Sequence, residues 1–369
     1  MIPVLYQAMD RVSRELVGLI PSVSQDFSAE RVAKDQTVRS PVVPASPNQD
    51  IVPGTDPGSS EGDANIGHVD LTISKSKRNT VKWNGNEQLG LKSGGQYERI
   101  AVDRFAQSMR ALVNEVEVDI GGLYKRTSRA FGTAGTTPFA SDLKAIAQLQ
   151  KILDDNGAPN DGERFVAIDT TAAANLLSIP NMIHANEAGT DDTLRRGVLL
   201  DIFGFGIRKS AGIATHSAGT GDSFVLDGAH QAGDTVITVT MGTGTILEGD
   251  VVTIGEHKYV VTTALSGGSF EIAEPGLRAN AADTTAVTLS DSYTGNIAFH
   301  RSSLHLATRH PAMPEEGDEA KDVMEITDPV SGLSFQVAMY GGYREIRYEV
   351  GLAWGMQGMK TEHAALLLG

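Results

Sequence analysis

The feature that most constrains the fold is one long amphipathic run over residues 96–128. Its apolar side chains recur every three or four positions, which keeps one face of a helix apolar over nearly the whole run. These are Val102, Phe105, Met109, Leu112, Val116, Ile120 and Leu123. A helix of about 30 residues is roughly 45 Å long, far beyond the usual three turns. Gly121 and Gly122 weaken its last turns, since each glycine costs a helix up to about 1 kcal/mol. Such a helix between β-rich segments is either the strut of a flat plate or the core helix of a large α+β domain, and the flanking segments favour the strut.

Composition excludes several classes of protein. The chain has 369 residues, enough for two or three domains. Its net charge of −15 disfavours a protein that grips phosphate backbones, which needs clustered Lys and Arg. There is no cysteine, and therefore no disulfide framework, thiol nucleophile or thiolate metal site. The amino terminus lacks the pattern of a signal peptide, and no apolar window reaches about 18 residues, so we expect a soluble protein of a reducing compartment without a membrane span.

Two segments before the long helix lack a core of their own. Residues 1–25 have helical apolar spacing that stops at Pro21, and this amphipathic helix docks either on its own domain or on another subunit. Residues 26–95 are predicted to be an extended, proline-bearing arm with paired strands at 37–43 and 68–76. A two-stranded ribbon is marginal alone in water and needs a surface to lie on. We therefore expect it to lie on a neighbouring subunit.

The sequence after the long helix alternates between helix and strand. The pattern predicts a helix at 141–153, capped by Ser141 and Asp142. A strand at 164–168, a small-residue helix at 170–178 and a strand at 198–208 are predicted next, which is typical of a compact α/β domain.

Residues 220–290 form a region of different composition, rich in Thr, Val and Gly. Turn residues separate short strand patterns at about the spacing of a small barrel. The strands are predicted at 235–240, 250–254, 258–263, 269–272 and 286–289. Because α/β sequence resumes afterwards, we interpret this region as an all-β insert.

The carboxy-terminal part returns to mixed structure. Residues 296–308 are predicted to be a helix, or a strand leading into a helix. Strands are expected at 324–326, 333–340 and 343–354, the last with one face in water. The final HAALLLG is apolar and needs cover.

The sequence contains no recognisable catalytic, phosphate-binding or metal-binding motif. His300, His305 and His310 are five residues apart, so neither a helix nor a strand presents them together, and we interpret them as structural. The GFGIRKS segment lacks the glycine spacing of a phosphate loop, and the chain has no G-x-S-x-G elbow or HExxH pair. The acidic run at 315–319 is interpreted as a solvated loop. We predict no catalytic, cofactor-binding or metal-binding residue and no cofactor.

The order of these elements resembles a known family. Arm helix, extended loop, long helix, α/β segment, all-β insert and long carboxy-terminal strand follow one another as in the major capsid (coat) proteins of tailed double-stranded DNA bacteriophages, which share the Hong Kong ninety-seven-type fold. The stretches that carry this resemblance are DRFAQSMRALVNEVEVDIGGLYKR, LRRGVLLDIFGFGIRKSAG and REIRYEVGLAWGMQ. The β-rich insert makes the chain most similar to short-tailed phage coat proteins that carry an inserted β-barrel domain. The resemblance covers the whole chain by element order and rests on no single residue.

The resemblance implies an α+β fold with a particular division of the chain. Residues 1–25 are the N-terminal arm helix, 26–95 the extended loop and 96–134 the spine helix of a peripheral domain. Residues 135–219 form an apical α/β domain, and 220–290 the inserted β-barrel domain. Residues 291–369 return through the apical domain to the long strands of the peripheral domain.

The resemblance also implies a function and partners. Identical subunits form pentamers and hexamers of an icosahedral shell around packaged double-stranded DNA, without sequence-specific binding. A separate scaffolding protein is expected to contact Asp10 and Glu15, and a portal protein is a further partner. The shell belongs to the virion and assembles in the host bacterial cytoplasm. Some relatives cross-link a loop lysine to a neighbouring asparagine; Lys75, Lys77 and Lys82 are available, but we predict no cross-link.

Two other classes of function remain open at the level of sequence. A β-rich fibre or surface protein explains the Gly and Thr content but not the long helix. An α/β enzyme with dispersed site residues explains the region at 135–219 but not the proline-bearing arm.

Overall fold

A computed structural model describes residues 16–42, 53, 67–93, 95, 97–179, 201–314, 318–328 and 331–369. The predicted arm helix falls mostly on residues 1–15, outside this range, as do Asp10 and Glu15. Within the described part, residues 20–22 form a 3₁₀ turn and a strand follows directly. No described helix is long and apolar enough to cross a membrane.

The described chain is rich in strands and has few helices. The helices are α1 (Gly85–Ser93), α2 (Tyr97–Gly121), α3 (Lys144–Asp155) and α4 (Thr170–Ser178). The strands of the first half are β1 (Ser24–Val32), β2 (Thr37–Val42), β3 (Gly67–Thr72), β4 (Lys75–Asn84), β5 (Arg129–Phe131), β6 (Arg164–Ile168), β7 (Phe205–Lys209), β8 (Thr215–His216), β9 (Phe224–Leu226) and β10 (Val236–Thr240). Those of the second half are β11 (Val251–Ile254), β12 (His257–Ser266), β13 (Ser269–Ile272), β14 (Ala286–Leu289), β15 (Tyr293–His300), β16 (Leu304–Pro311), β17 (Ala320–Thr327), β18 (Ser334–Gly342), β19 (Glu345–Gly358) and β20 (Ala364–Leu368).

The long helix is present and packs on a six-stranded sheet with the order β1-β16-β19-β18-β17, in which β4 also pairs with β19. Six of the seven predicted apolar positions of α2 are buried in the largest core, and Leu123 is partly buried. That core also contains Trp83 of β4 and Trp354 of β19. The helix changes to a 3₁₀ turn at Gly122, where the two glycines were expected to weaken it.

A single strand, β19, organises this sheet. All ten residues of β4 pair antiparallel with it, while β18 and then β16 pair along its other edge. The prediction that one face of β19 lies in water is wrong after Arg347, because residues 348–355 are buried on both faces of the strand. The reason is that α2 covers one face, while Leu71 and Ile73 at the end of the ribbon pack beside Ala353 on the other. The sequence pattern also missed β1, β4 and α1.

A second sheet has twelve strands, and its α/β part is buried on both faces. Alternate residues of β20 divide between two cores: Leu366 and Leu368 face the α2 core, whereas Leu367 faces a core formed with α3 and α4. The apolar carboxy terminus is therefore covered, as its composition required. Strand β6 and helix α4 match their predicted ranges, and α3 begins three residues later than predicted.

The same sheet continues into a closed six-stranded barrel, which we call the barrel (β9–β14). Each strand pairs antiparallel with the next in the order β11-β14-β9-β10-β13-β12, and β12 pairs back with β11 to close it. Its own core contains Tyr259, Phe270 and Ile272. Strand β12 also pairs with β5, so the barrel is joined to the α/β part by hydrogen bonds.

Two strand assignments differ from the sequence patterns. Residues 296–308 contain no helix of the predicted kind: β15, a 3₁₀ turn at 301–303 and β16 fill the region. The strand predicted at 198–208 begins only at Phe205, after a turn that includes Gly204 with φ +76°; residues 198–200 lie outside the described part.

Candidate assembly surface and its supports

The β2–β3 ribbon is largely exposed where the structure describes its side chains, with Leu71 as its buried residue. Six residues of each strand pair antiparallel, as predicted, and no other described strand pairs with either. Arg39 and Asp70 face each other across the ribbon, with a nitrogen–oxygen distance of 3.0 Å, and their side chains are 64% and 38% exposed. The hydrogen bond from Arg39 lowers the pKa of Asp70. The outer part of the ribbon thus presents backbone and polar side chains with little of its own chain to cover them.

The root of the ribbon is fixed to the six-stranded sheet. Leu71 and Ile73 are buried together with Ala307 and Ala353, which belong to β16 and β19. At Gly355 a Cβ atom would lie 2.1 Å from the carbonyl oxygen of Thr72, so only glycine allows this close approach. The sequence suggested that the ribbon has no core nearby; the structure supplies one for the root from the carboxy-terminal part of the chain.

The lysines beside the ribbon are held by acids of the same chain. Lys75 lies 2.8 Å from Asp119 and 3.1 Å from Glu115, and Lys77 also contacts Glu115. Lys82 lies 2.5 Å from Glu345. These contacts tie β4 to α2 and to β19.

The pKa values of this cluster reflect its ion pairs. Burial alone would lower the pKa of Lys75, but its hydrogen bonds to Asp119 and Glu115 raise the pKa above the usual value. Burial would raise the pKa of Glu115, but hydrogen bonds from Lys77 and Lys75 lower it. Both groups are therefore charged over a wide pH range, and the Nζ atoms are engaged.

A buried carboxylate on α2 anchors the segment before β1. Glu117 is 2% exposed, and its Oε1 accepts hydrogen bonds from the backbone N–H of Gly18 at 2.8 Å and of Leu19 at 2.7 Å. Its Oε2 accepts from the N–H of Ile20 at 3.0 Å, and the hydroxyl of Ser210 donates to Oε1 at 2.6 Å. Glu117 therefore joins α2, the start of the described chain and the end of β7. The sequence does not distinguish Glu117 from its neighbours, because it lies within a charged stretch of the helix.

A second buried polar cluster lies where the barrel meets the end of α2. The Tyr124 hydroxyl is 2.8 Å from His216 Nδ1, and His216 Nε2 is 2.7 Å from Asp250 Oδ1. Asp250 is fully buried and also accepts from the N–H groups of Gly219 and Leu247. Burial, with Asp250 and Glu248 nearby, raises the pKa of Tyr124 to about 12. The cluster is chemically satisfied and fixes the barrel against the rest of the chain.

The three histidines singled out in the sequence do not come together. His310 is buried and lies 2.8 Å from Glu325, while burial lowers the pKa of His305. His300 lies beside Asp161, 3.1 Å from Nε2 to Oδ1, and with Glu163 these groups have ligand atoms within 4.8 Å of one another. The N–H of Ser302 donates to His300 Nδ1, so the proton is on Nε2, which donates to Asp161. Both ring nitrogens of His300 therefore have hydrogen-bond partners within the chain, which favours the structural interpretation.

The GFGIRKS segment is not a phosphate loop in the structure. Residues 205–209 are strand β7, paired in parallel with β6, and their N–H and C=O groups belong to a sheet. Of the acidic run at 315–319, Asp318 accepts a hydrogen bond from Tyr340 at 2.5 Å. Residues 315–317 lie outside the described part.

Comparison with known proteins gives similarity at the level of structure alone. No family model matches the chain, and no curated protein matches it. The chain is similar to the capsid of the native GTA particle, with a TM-score of 0.49 and 10% identity over 96% of this chain and 90% of that one. It is also similar to the capsid structure of cyanophage P-SCSP1u, with a TM-score of 0.46 and 12% identity over 94% and 86%. The mature capsid of bacteriophage PhiM1 gives a TM-score of 0.46 and 10% identity over 94% and 85%. All three are capsid structures, two of them from phages, and the order of elements in the sequence predicted this similarity.

Proposed function

We propose that this protein is the major capsid protein of a tailed double-stranded DNA phage, and that it assembles through pentamers and hexamers into a closed icosahedral shell. The observation that carries the proposal is the β2–β3 ribbon, which is rooted on its own sheet and exposed beyond the root. Its partner is a second copy of the same chain.

The ribbon has the properties of an intersubunit element. Two paired strands are marginal in water, and their exposed backbone groups gain little from their own chain. An exposed edge that pairs with or lies on an identical subunit gains buried area, and obligate interfaces between subunits bury about 2,000 Å² or more. In a closed lattice each copy both gives and receives such a contact, so contacts that are weak one by one add together.

The rest of the chain provides a rigid mount for this element. Helix α2 lies across the sheet that holds the ribbon root, and Glu117 and the Lys75 ion pairs tie that sheet to neighbouring segments. In this proposal α2 is the spine helix of a Hong Kong ninety-seven-type fold. Residues 26–95 act as the extended loop, 135–219 with part of 291–369 as the apical domain, and the barrel as an inserted domain within 220–290.

Charge supports a container rather than a nucleic-acid binder. With a net charge of −15, the chain repels the phosphate backbone, which suits a shell that must admit and release DNA. A separate scaffolding protein, a portal protein and a place in the virion are part of this proposal. The proposed function is structural, and no covalent cross-link is included, because Lys75, Lys77 and Lys82 are all paired with acids of their own chain.

The test uses a charge reversal and a matched charge swap on the ribbon. Arg39→Asp places two acids opposite each other, whereas Arg39→Asp with Asp70→Arg restores the pair with inverted direction. Because the pair is exposed, neither change unfolds the chain. We expect sedimentation analysis to find fewer closed particles for both variants, since both alter the face offered to the neighbour.

Two controls make the outcome decisive. Arg344→Asp changes an arginine in the turn between β18 and β19, away from the ribbon, and is expected to leave assembly unchanged. Normal assembly of both ribbon variants would contradict an intersubunit role. If the double variant assembled normally and Arg39→Asp alone did not, the ion pair would matter only within the ribbon. That result would also contradict an intersubunit role.

A further inference from the structure

A cavity of about 430 Å³ lies where α3, β5 and the barrel meet. Its walls come from the end of α3, from β5 and the residues after it, and from the turn into β12. The residues used below are Arg129, Lys151, Asp155, Glu256, His257 and Lys258. The volume is within the usual range of small-molecule sites, about 300–1,000 Å³.

The two lysines of this cavity, Lys151 and Lys258, form no ion pair with an acid of the described residues. Lys258 is half-buried, and its Nζ donates to the carbonyl oxygen of Gly132 at 2.6 Å; no carboxylate of the described residues lies within ion-pair distance of it. Burial lowers the pKa of Lys258, as expected for an ammonium group without an acid partner. Lys151 is exposed at the rim. An anion entering the cavity would supply the missing partner.

The arginine in the wall is only partly satisfied. The side chain of Arg129 is 7% exposed, and its Nη2 donates to Asp155, to Asn156 and to the carbonyl oxygen of Ile152 at the end of α3. Its Nε–H is buried and has no acceptor. Because the group is poorly solvated, its charge acts on the cavity with little screening.

The acids present do not cancel this charge. Asp155 lies 3.2 Å from Arg129 and 3.7 Å from Arg278, so its charge is shared by two guanidinium groups. Glu256 is exposed. Burial lowers the pKa of His257, and Arg129, Lys151 and Arg278 lower it further against the opposing effect of Glu256. Arg129, Lys151 and Lys258 line the cavity against only two acids, so its lining carries a net positive charge in a chain whose overall charge is negative.

We propose that this cavity is a binding site for a small phosphate-class oxyanion, held by Lys258 and Lys151 within the field of Arg129. Such an oxyanion would connect α3 with the barrel, because Lys151 lies on α3 and Lys258 lies on β12. It would stabilise the folded chain by mass action, since an unfolded chain offers no such cluster. The site is independent of the ribbon and of the proposed assembly.

Calorimetric titration of the purified protein with inorganic phosphate and with pyrophosphate tests the proposal, using sodium chloride at matched ionic strength as the reference. We expect saturable binding with one site per chain and an increase in thermal midpoint that chloride does not produce. Lys258→Gln should weaken binding at least about tenfold, because a hydrogen bond to a charged group is lost. Lys151→Gln changes an exposed side chain, so it should keep the fold and still weaken binding.

Lys144→Gln is the matched control, because Lys144 is an exposed lysine on the same helix that does not line the cavity. Its affinity should stay within about twofold of the parent protein. A second readout is the pKa of His257, which a bound anion should raise; His257→Gln assigns its resonance in a proton NMR titration. Equal effects of phosphate and chloride, or equal losses for Lys144→Gln and Lys258→Gln, would overturn the proposal.

Discussion

Replacement of Glu117 by alanine removes the acceptor of three backbone N–H groups and one hydroxyl, all buried. Each orphaned donor costs about 1–3 kcal/mol, so the three N–H groups would cost roughly 3–9 kcal/mol if they stayed in place. The segment has an alternative, which is to detach from α2 and let water satisfy its N–H groups. Detachment exposes Leu19 and Ile20, both fully buried, at about 1.5–3 kcal/mol each. Detachment therefore limits the loss to about 3–6 kcal/mol.

Glu117→Ala is thus expected to release residues 18–20 locally rather than to unfold the chain. Hydrogen exchange followed by mass spectrometry measures this directly, in a peptide that covers residues 16–24. We expect its amide protection to fall at least about 100-fold, which corresponds to about 2.7 kcal/mol. The buried face of α2 should keep its protection.

Glu115→Gln is the matched control for this experiment. Glu115 lies two residues before Glu117 on the same helix but pairs with Lys75 and Lys77 and accepts no bond from residues 18–20. Its replacement should leave the protection of the 16–24 peptide unchanged. If Glu117→Ala kept full protection at residues 18–20 while the chain remained folded, the anchoring role would be refuted.

Three further predictions follow from the supports of the assembly surface. Asp250→Asn weakens the carboxylate acceptor that binds His216 and two backbone N–H groups, and it should lower the free energy of unfolding by about 1.5–3 kcal/mol in a denaturant titration. Asp283→Asn, in an exposed turn of the barrel, is the control, and an unchanged midpoint for Asp250→Asn would contradict the role of the cluster in joining the barrel to the rest of the chain. Because the pKa of Glu115 is lowered, its contribution to stability is present above the usual value of 4.5 and is lost as the pH falls through its pKa in the folded protein. Lys75→Met should make the free energy of unfolding depend less on pH below 4.5. The same pH dependence in the variant and the parent protein would argue against the pair. Gly355→Ala places a Cβ atom 2.1 Å from the carbonyl oxygen of Thr72 and should displace the root of the ribbon. We therefore expect fewer closed particles in sedimentation. A normal yield of particles would mean that assembly tolerates movement of the root.

The elements that sequence predicted well are those whose periodicity is local. Helix α2 carries its apolar stripe in its own sequence, and β13 and β14 alternate between turn residues, so their ranges needed no knowledge of distant contacts. The order of strands in the barrel, and its closure by β11 and β12, depends on pairings that no local pattern encodes.

The elements that sequence missed depend on distant partners. Strand β4 has many charged and polar residues, and its sequence pattern predicts part of an extended arm. Its ten pairs join it to β19, which follows it in the chain by about 270 residues and lies beyond the barrel. The buried centre of β19 likewise contradicts the simple alternation, since both faces are covered by other elements. Glu117 and Asp250 could not be told from solvated acids, because only the fold brings backbone N–H groups to them.

Electron microscopy of the purified protein, expressed alone and together with a scaffolding protein, shows whether this chain builds a shell. We expect closed particles of uniform size in at least one of these preparations. A monodisperse assembly of only a few subunits in both would contradict the proposal that this chain builds a shell.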